Sequence, residues 1–431
     1  MVATPLHFSR SAIQLGYYRD DFLVYFAQPP PAGSTRAAQL EFARNVMLET
    51  RKSPMMNRGY YSRVAALDKM IQEFIETTRA QGLPSQIISL GAGMDTTYWR
   101  LKAHKRLSAS RYVEIDYPDT MARKLTTIQH TILLREVLES SDAAQVQHPL
   151  EYKADAAYPQ GITVLSKDYA AVAADLSHDA DAILDSFTKG PNPILDPTLP
   201  TLVLSECMLV YLEPETSDAL LKALTAHFSG PLILVMYEQV FAHDEYGRGM
   251  IDNLRRRGCP LLGLERYPNF DAQKERLERV GFAASAGWTM YEIYRYFLDE
   301  GDTRRVEAIP SERFDEYEEW YLIQSHYAIW VAIKPTQANG EVKNDGADKA
   351  TANVAGDGSI PDEAKSVRKD YVGLENFALL GRRIPPNVVY PSLIRRSQLT
   401  SVPIQHQEED VVTYVREDGV RVTKGSLRRK V

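Results

Sequence analysis

Residues 86–97 read Q-I-I-S-L-G-A-G-M-D-T-T: an apolar run stops at Gly91 and Gly93, which flank Ala92, and residues able to start a helix follow. Such a segment predicts a strand, a tight glycine turn and a helix, the opening of an α/β sheet. A side chain at either glycine would keep the backbone from approaching a ligand held over the carboxyl ends of the strands, so both are candidate binding residues. About 20 residues on, Arg111–Asp116 reads as a second strand ending in a carboxylate, the spacing of an acid that accepts hydrogen bonds from ribose hydroxyls. The pattern is not that of a dinucleotide site, because the place of the third glycine in G-x-G-x-x-G is Thr96. A nucleoside without phosphates fits better, and S-adenosylmethionine is the common one. The plainer alternative is a tight βα turn with no ligand.

Alternation of strand-like and helical runs continues to about residue 334, through Ala170–Ala174, Thr201–Ser205 and Leu232–Tyr237, which predicts a parallel sheet covered by helices. Before it, residues 1–84 carry helical periodicity, clearest in Val64–Ile75. After it, Gln273–Val280 predicts an amphipathic helix closed by Gly281. Two aromatic and β-branched runs, Trp288–Tyr296 and His326–Ile333, then predict a late antiparallel pair. Residues 335–366 are small and polar without apolar period and predict a flexible linker. In the tail beyond, residues 367–431, Val411–Thr423 resembles a hairpin turning at Glu417-Asp-Gly419, to which no chemistry attaches.

The chain has 431 residues, 25% of them charged and 44% hydrophobic, which is ordinary for a globular protein. Its net charge of −7 argues against a protein that binds by neutralising phosphates, so nucleic acid is not expected as a partner. Two cysteines, Cys207 and Cys259, are too few for a disulfide framework or a four-ligand zinc site. No histidine pair has metal-ligand spacing, so no metal is expected. Neither a secretion signal nor a membrane span is read, and a cytoplasmic location follows as an expectation.

Three further positions carry candidate chemistry. Asp175 emerges beyond the third parallel strand, where a short acid can accept from an adenine amino group or, equally, cap a helix. Glu206 ends the central strand beside the ligand crevice and is costly to bury without a partner. Tyr211, in Cys207-Met-Leu-Val-Tyr211, lines the site or packs in the core. Cys207, flanked by apolar residues, reads as a core residue and not a nucleophile. In Pro54–Arg63, two arginines and two tyrosines stand together just before a helix, either a grip for an anion or a solvated basic loop.

Taken in order, Gly16-Tyr17, Asn57-Arg-Gly-Tyr-Tyr-Ser-Arg63, Leu90-Gly-Ala-Gly-Met-Asp-Thr-Thr97, Glu114-Ile-Asp-Tyr-Pro118, Glu206–Tyr211, Tyr237-Glu-Gln-Val240 and Asn253-Leu-Arg-Arg-Arg257 resemble the leucine carboxyl methyltransferase family over about residues 10 to 334. These enzymes methylate the C-terminal leucine of the protein phosphatase 2A catalytic subunit. The resemblance implies a doubly wound α/β fold: a mostly parallel, seven-stranded S-adenosylmethionine-dependent methyltransferase sheet over residues 85–334 with an N-terminal helical cap over 1–84. By motif it implies cofactor contacts at Arg63, Gly91, Asp116, Asp175 with Leu176, and Glu206; Gly93 completes the turn, and Arg63 and Tyr211 are the candidate catalytic residues. The family also has a basic residue shortly before its Gly-Tyr pair, and Arg10 is the nearest here, although this chain is one residue shorter between them and lacks the usual acidic and small-residue lead-in. The implied acceptor is the phosphatase tail. A small-molecule or tRNA-base carboxyl methyltransferase, or a non-catalytic cofactor-binding scaffold, would keep the same cofactor residues. A nicotinamide oxidoreductase is disfavoured by Thr96.

Overall fold

The computed structural model describes residues 6–47, 52–109, 111–139, 161–189, 193–314, 317–334, 411–415 and 421–425. Four helices come first: α1 (Leu6–Gln14), α2 (Leu23–Ala27), α3 (Arg36–Met47) and α4 (Pro54–Ala80). Helix α4 starts earlier than the sequence suggests. Ser53 accepts the Met56 N–H at 3.4 Å and Pro54 occupies the first turn, so the arginine and tyrosine motif lies on a helix and not in a solvated loop before one. Its 27 residues span about 40 Å.

The sheet comprises β1 (Gln86–Leu90), β2 (Arg111–Asp116), β3 (Gly161–Leu165), β4 (Tyr169–Ala173), β5 (Thr201–Glu206), β6 (Leu232–Gln239), β7 (Ala284–Thr289) and β8 (Tyr327–Lys334). Their spatial order is β3-β4-β2-β1-β5-β6-β8-β7. The inner pairs β4/β2, β2/β1, β1/β5 and β5/β6 are parallel, and β6/β8, β8/β7 and β3/β4 are antiparallel. Seven strands form the expected mostly parallel sheet, and β3 adds an antiparallel edge. Because side chains alternate along a strand, Ile87, Tyr112, Leu202 and Ile233 join one buried cluster, and their neighbours Ile88, Val113, Val203 and Leu234 join the other.

Helices α5 (Thr97–Ala103), α6 (Pro118–His130), α7 (Ile132–Glu139), α8 (Ala180–Thr188), α9 (Pro214–His227), α10 (Glu245–Arg256) and α11 (Phe270–Arg279) connect the strands. The antiparallel pair at the end is present, but Trp288–Tyr296 is not one strand. Thr289 closes a capping box with Glu292, and the chain turns helical at α12 (Met290–Glu292) and then through a π-helical turn, Ile293–Phe297. The physical reason is periodicity: Ile293 and Phe297, four apart, both enter the main core, whereas Tyr294 enters a satellite cluster with Tyr17, Tyr61 and Trp320. Helices α13 (Glu300–Glu307) and α14 (Tyr317–Ser325) lead into β8.

Val411–Val415 and Arg421–Gly425 pair antiparallel, as a hairpin. Residues 335–366, read as a linker, and the rest of 367–431 lie outside the described residues.

Candidate active site

The chain runs outward from β1 to β2 and β4, then returns to place β5 on the other side of β1, so the carboxyl ends of β1 and β5 flank the switch point where such sheets bind ligands. Gly91 leaves β1 with φ +65°, and Gly93 follows with φ +54°. The Gly91 and Ala92 N–H groups donate to Ile115 O at 2.8 and 3.2 Å, which straps the turn to the tip of β2. A Cβ on Gly91 would sit 2.5 Å from Met208 Cγ. The close approach that requires glycine is therefore made by the segment following β5, and at Gly93, where a Cβ would meet open space, backbone conformation alone requires it.

Asp116 accepts the Gly93 N–H on Oδ2 and the Tyr117 N–H on Oδ1, each at 2.7 Å. One donor per oxygen leaves half of the carboxylate's acceptor capacity for a ligand. Beside it Tyr117 is 50% exposed, unusual for a large aromatic side chain here. Partial burial, then the carboxylates of Asp175 and Asp116, push its phenol up. Sequence reasoning passed over Tyr117, whose signal is its position directly after the acid.

Asp175 lies two residues past β4. It does not cap a helix: Asp179 caps α8, and Asp175 Oδ1 accepts instead from Ser177 N at 2.9 Å and Ser177 Oγ at 2.6 Å. Leu176 is buried in the second core cluster.

Glu206 meets Arg63, 143 residues away, through two bonds to Oε2: Nε at 2.8 Å and a terminal nitrogen at 2.7 Å. The side chains stay 17% and 23% exposed, enough for the pair to face the crevice. Burial pushes the Glu206 carboxyl above its usual range against the pull of Arg63. Burial is the largest influence on Arg63 and opposes its charge, but Glu206 together with Cys207, Tyr237 and Tyr60 outweighs it and holds the guanidinium protonated. The guanidinium carbon lies 4.7 Å from the centre of the Tyr237 ring, which stacks on Tyr327 at 5.6 Å and 16°. Sequence reasoning reached Arg63 and Glu206 but not this aromatic wall.

After Glu206, Cys207 adopts φ +51° and its N–H donates to Tyr237 O at 2.7 Å. Burial pushes the Cys207 thiol up to about 12, which agrees with its reading as a non-nucleophile. The 3-10 turn Leu209–Tyr211 follows, held by Glu238 Oε1, which accepts the Val210 N–H at 2.8 Å. Tyr211 is part-buried near Cys207, Tyr327 and Arg63; burial chiefly raises its phenol.

Arg10 stands apart. It is buried on α1 and donates to Val46 O near the end of α3, and its Nε has no partner among the described residues. No hydrogen bond or ion pair among the described residues joins it to Gly91, Asp116, Asp175 or Glu206. No group of three or more potential metal ligands exists among those residues, and no helix among them is long and apolar enough to cross a membrane.

Residues 3–225 match the family model described as Leucine carboxyl methyltransferase. The chain is 32% identical to a Leucine carboxyl methyltransferase 1 homolog from Arabidopsis thaliana, over 75% of this chain and 85% of that protein. It is 36% identical to human tRNA wybutosine-synthesizing protein 4, over 66% of this chain but 39% of that protein. Among solved structures, magnesium protoporphyrin IX methyltransferase from Synechocystis PCC 6803, with bound S-adenosylhomocysteine, superposes with a TM-score of 0.33 at 11% identity, covering 69% of this chain and 95% of that one.

Proposed function

The chain belongs to the leucine carboxyl methyltransferase family and is an S-adenosylmethionine-dependent methyltransferase, and from that premise we propose that its acceptor is the C-terminal leucine carboxylate of the protein phosphatase 2A catalytic subunit. The observation that carries the reading is the half-open Arg63–Glu206 pair beside the glycine turn, against an aromatic wall.

The residues present fit the methyl donor. Asp116 has acceptor capacity left for ribose hydroxyls, Tyr117 offers an exposed ring beside it, and Asp175 with Leu176 forms the next edge, suited to the adenine. Arg63 would hold the donor's carboxylate or one oxygen of the acceptor, whereas Arg10, turned to Val46 O, is not placed to share that role. Bound there, the donor supplies a methyl group on a sulfonium, open to in-line displacement.

The acceptor carboxylate, with a reference pKa of about 3.5, is ionised near neutral pH, so no general base is needed. The work left to the protein is orientation and exclusion of water, effects worth roughly 7–11 kcal/mol. Glu206 occupies Nε and one terminal nitrogen of Arg63 and draws on its charge. If the acceptor and not the donor's carboxylate takes the remaining N–H groups, they can anchor one of its oxygens and leave the other free to attack. Tyr211 and Tyr237 would bound the acceptor side. A cytoplasmic site of action accords with a phosphatase substrate.

Likeness to the tRNA wybutosine-synthesizing protein supports a second reading, in which the acceptor is a modified tRNA base. Transfer of a labelled methyl group to purified phosphatase catalytic subunit, with and without its final leucine, and to tRNA, separates the two. Label confined to the leucine-terminated subunit is expected; equal labelling of the truncated subunit, or labelling of tRNA alone, refutes the proposal.

A further inference from the structure

Thr96, at the place of the missing third glycine, donates its hydroxyl to Asp20 Oδ2 at 2.5 Å, across 76 residues. Asp20 precedes α2, and its other oxygen accepts the Phe22 and Leu23 N–H groups, both at 2.9 Å. One turn along α5, Arg100 grips Asp68 of α4 with both terminal nitrogens at 2.6 and 2.9 Å, and its Nε lies 3.6 Å from Asp20. Arg100 also donates to Thr97 Oγ1 at 3.1 Å. Asp20, Thr96 and Arg100 are all at least nine-tenths buried. Two carboxylates, one from the segment before α2 and one from α4, thus converge on the hydroxyl at the start of α5 and on a guanidinium within it.

The same helix α4 carries Arg63 five residues before Asp68, so whatever fixes α4 against α5 also fixes Arg63 against Glu206. The turn end of the network is equally constrained. Asp95 Oδ1 accepts from Thr96 N at 2.8 Å and from Thr97 N and Oγ1 at 3.2 and 2.9 Å, while Lys124 donates to Asp95 O at 3.0 Å. The Asp95 and Lys124 bonds fix the turn from within, and the Thr96–Asp20 and Arg100–Asp68 contacts tie that same segment to the N-terminal region.

We propose that Thr96, Asp20 and Arg100 are positioning residues that make docking of the N-terminal helices and shaping of the Gly91–Gly93 turn one equilibrium, so that ligand in the turn tightens α2 and α4 without touching Thr96. The proposal rests on the reading of that turn as the donor site. Packing alone would hold the helices whether or not the turn is filled; the network transmits the difference.

The test compares the full chain with Thr96→Val, which keeps the shape and removes the hydroxyl, and Thr96→Ser, which keeps the hydroxyl. S-adenosylhomocysteine is the probe, its affinity is read by calorimetry, and hydrogen exchange is followed in peptides covering residues 20–28. In the parent protein the probe is expected to slow exchange there by about tenfold, a usual size for coupling between sites. Thr96→Val is expected to lose that slowing and to bind the probe about tenfold more weakly, and Thr96→Ser to restore both. Should Thr96→Val not fold, Thr96→Ala takes its place. Unchanged coupling in the hydroxyl-free variants, or equal loss in Thr96→Ser, overturns the latch while leaving the donor site standing. A parent protein that binds no probe overturns both.

Discussion

Two ion pairs flank the glycine turn, and their difference shows how this sheet separates structure from function. Lys124 with Glu114 and Arg63 with Glu206 each join a helix cation to a strand carboxylate, on β2 and β5, one on either side of β1. Glu114 lies within its strand, and it and Lys124 are wholly inaccessible; Tyr169 donates its hydroxyl to the same carboxylate at 2.7 Å, and Lys124 faces the Phe26 and Trp99 rings at 5.5 and 5.4 Å. Glu206 is the last residue of its strand, and its pair remains partly open. The inner pair cannot exchange a partner, because losing either charge strands the other in a low-dielectric interior. The outer pair can share its cation with an incoming anion. Position along the strand decides the role, with the same chemistry in both places.

The largest expected effect tests the inner pair. Lys124→Met leaves Glu114 buried without its counter-ion, with the Tyr169 hydroxyl as a remaining donor, and at pH 8, above the raised Glu114 range, should cost about 3–5 kcal/mol, read from urea unfolding. A loss below about 1 kcal/mol would mean that the pair is not structural in the sense argued.

A third buried carboxylate sharpens the contrast, since Glu238 answers backbone N–H groups of the turn after Glu206. Burial chiefly pushes it up to about 7, as it does Glu114. Between the usual carboxylate value and about 7 the native state holds protons that the unfolded chain has released, so stability should fall as pH rises through that window and level off above it. Glu238→Gln should remove its share of the slope, at most about 3 kcal/mol, leaving the shares of Glu114 and of the other carboxyls that burial raises, Asp20, Glu206 and Glu292. Thermal melts at pH 5 and 8 measure it, and an unaltered slope would exclude Glu238 as a source.

For the outer pair, Arg63→Ala should lower methyl transfer by roughly 10²-fold through lost orientation, with the melting midpoint near that of the parent. Near-normal turnover would erase the functional side of the comparison. The smallest effect is expected of Tyr237→Leu, which removes the ring beneath Arg63 and should weaken donor or acceptor binding by about 0.5–2 kcal/mol, seen in KM more than in kcat.

What could be read from the chain beforehand follows the same division. Gly91, Asp116 and Glu206 are legible because a strand ending in a glycine or an acid is a local event, and the sheet then brings the strand ends together. Arg63 is legible as part of an aromatic and basic motif, but its helical setting depends on Ser53 and Pro54 acting as a cap, a weaker local signal than the apolar period that starts at Val64. Asp20 carries no local signal at all, since its meaning depends on Thr96 across 76 residues. The run after Thr289 misled because aromatic and β-branched residues satisfy strand preference and a four-residue helical repeat at once. Edge strand β3 was missed between unpatterned segments.

Helix α4 has a consequence for biosynthesis. It leaves the ribosome before any strand exists, carrying Asn57, whose side chain donates to Glu312 at 2.8 Å across 255 residues, and Arg63, whose carboxylate is 143 residues downstream. At about 5–20 residues per second, Glu206 follows Arg63 by roughly 7–29 s and Glu312 follows Asn57 by roughly 13–50 s, an interval in which the Asn57 amide has only the Lys52 carbonyl. A chain that stops before Glu312 therefore keeps the apolar seat of α4 but loses the polar partner that ties the start of that helix to the segment after α13.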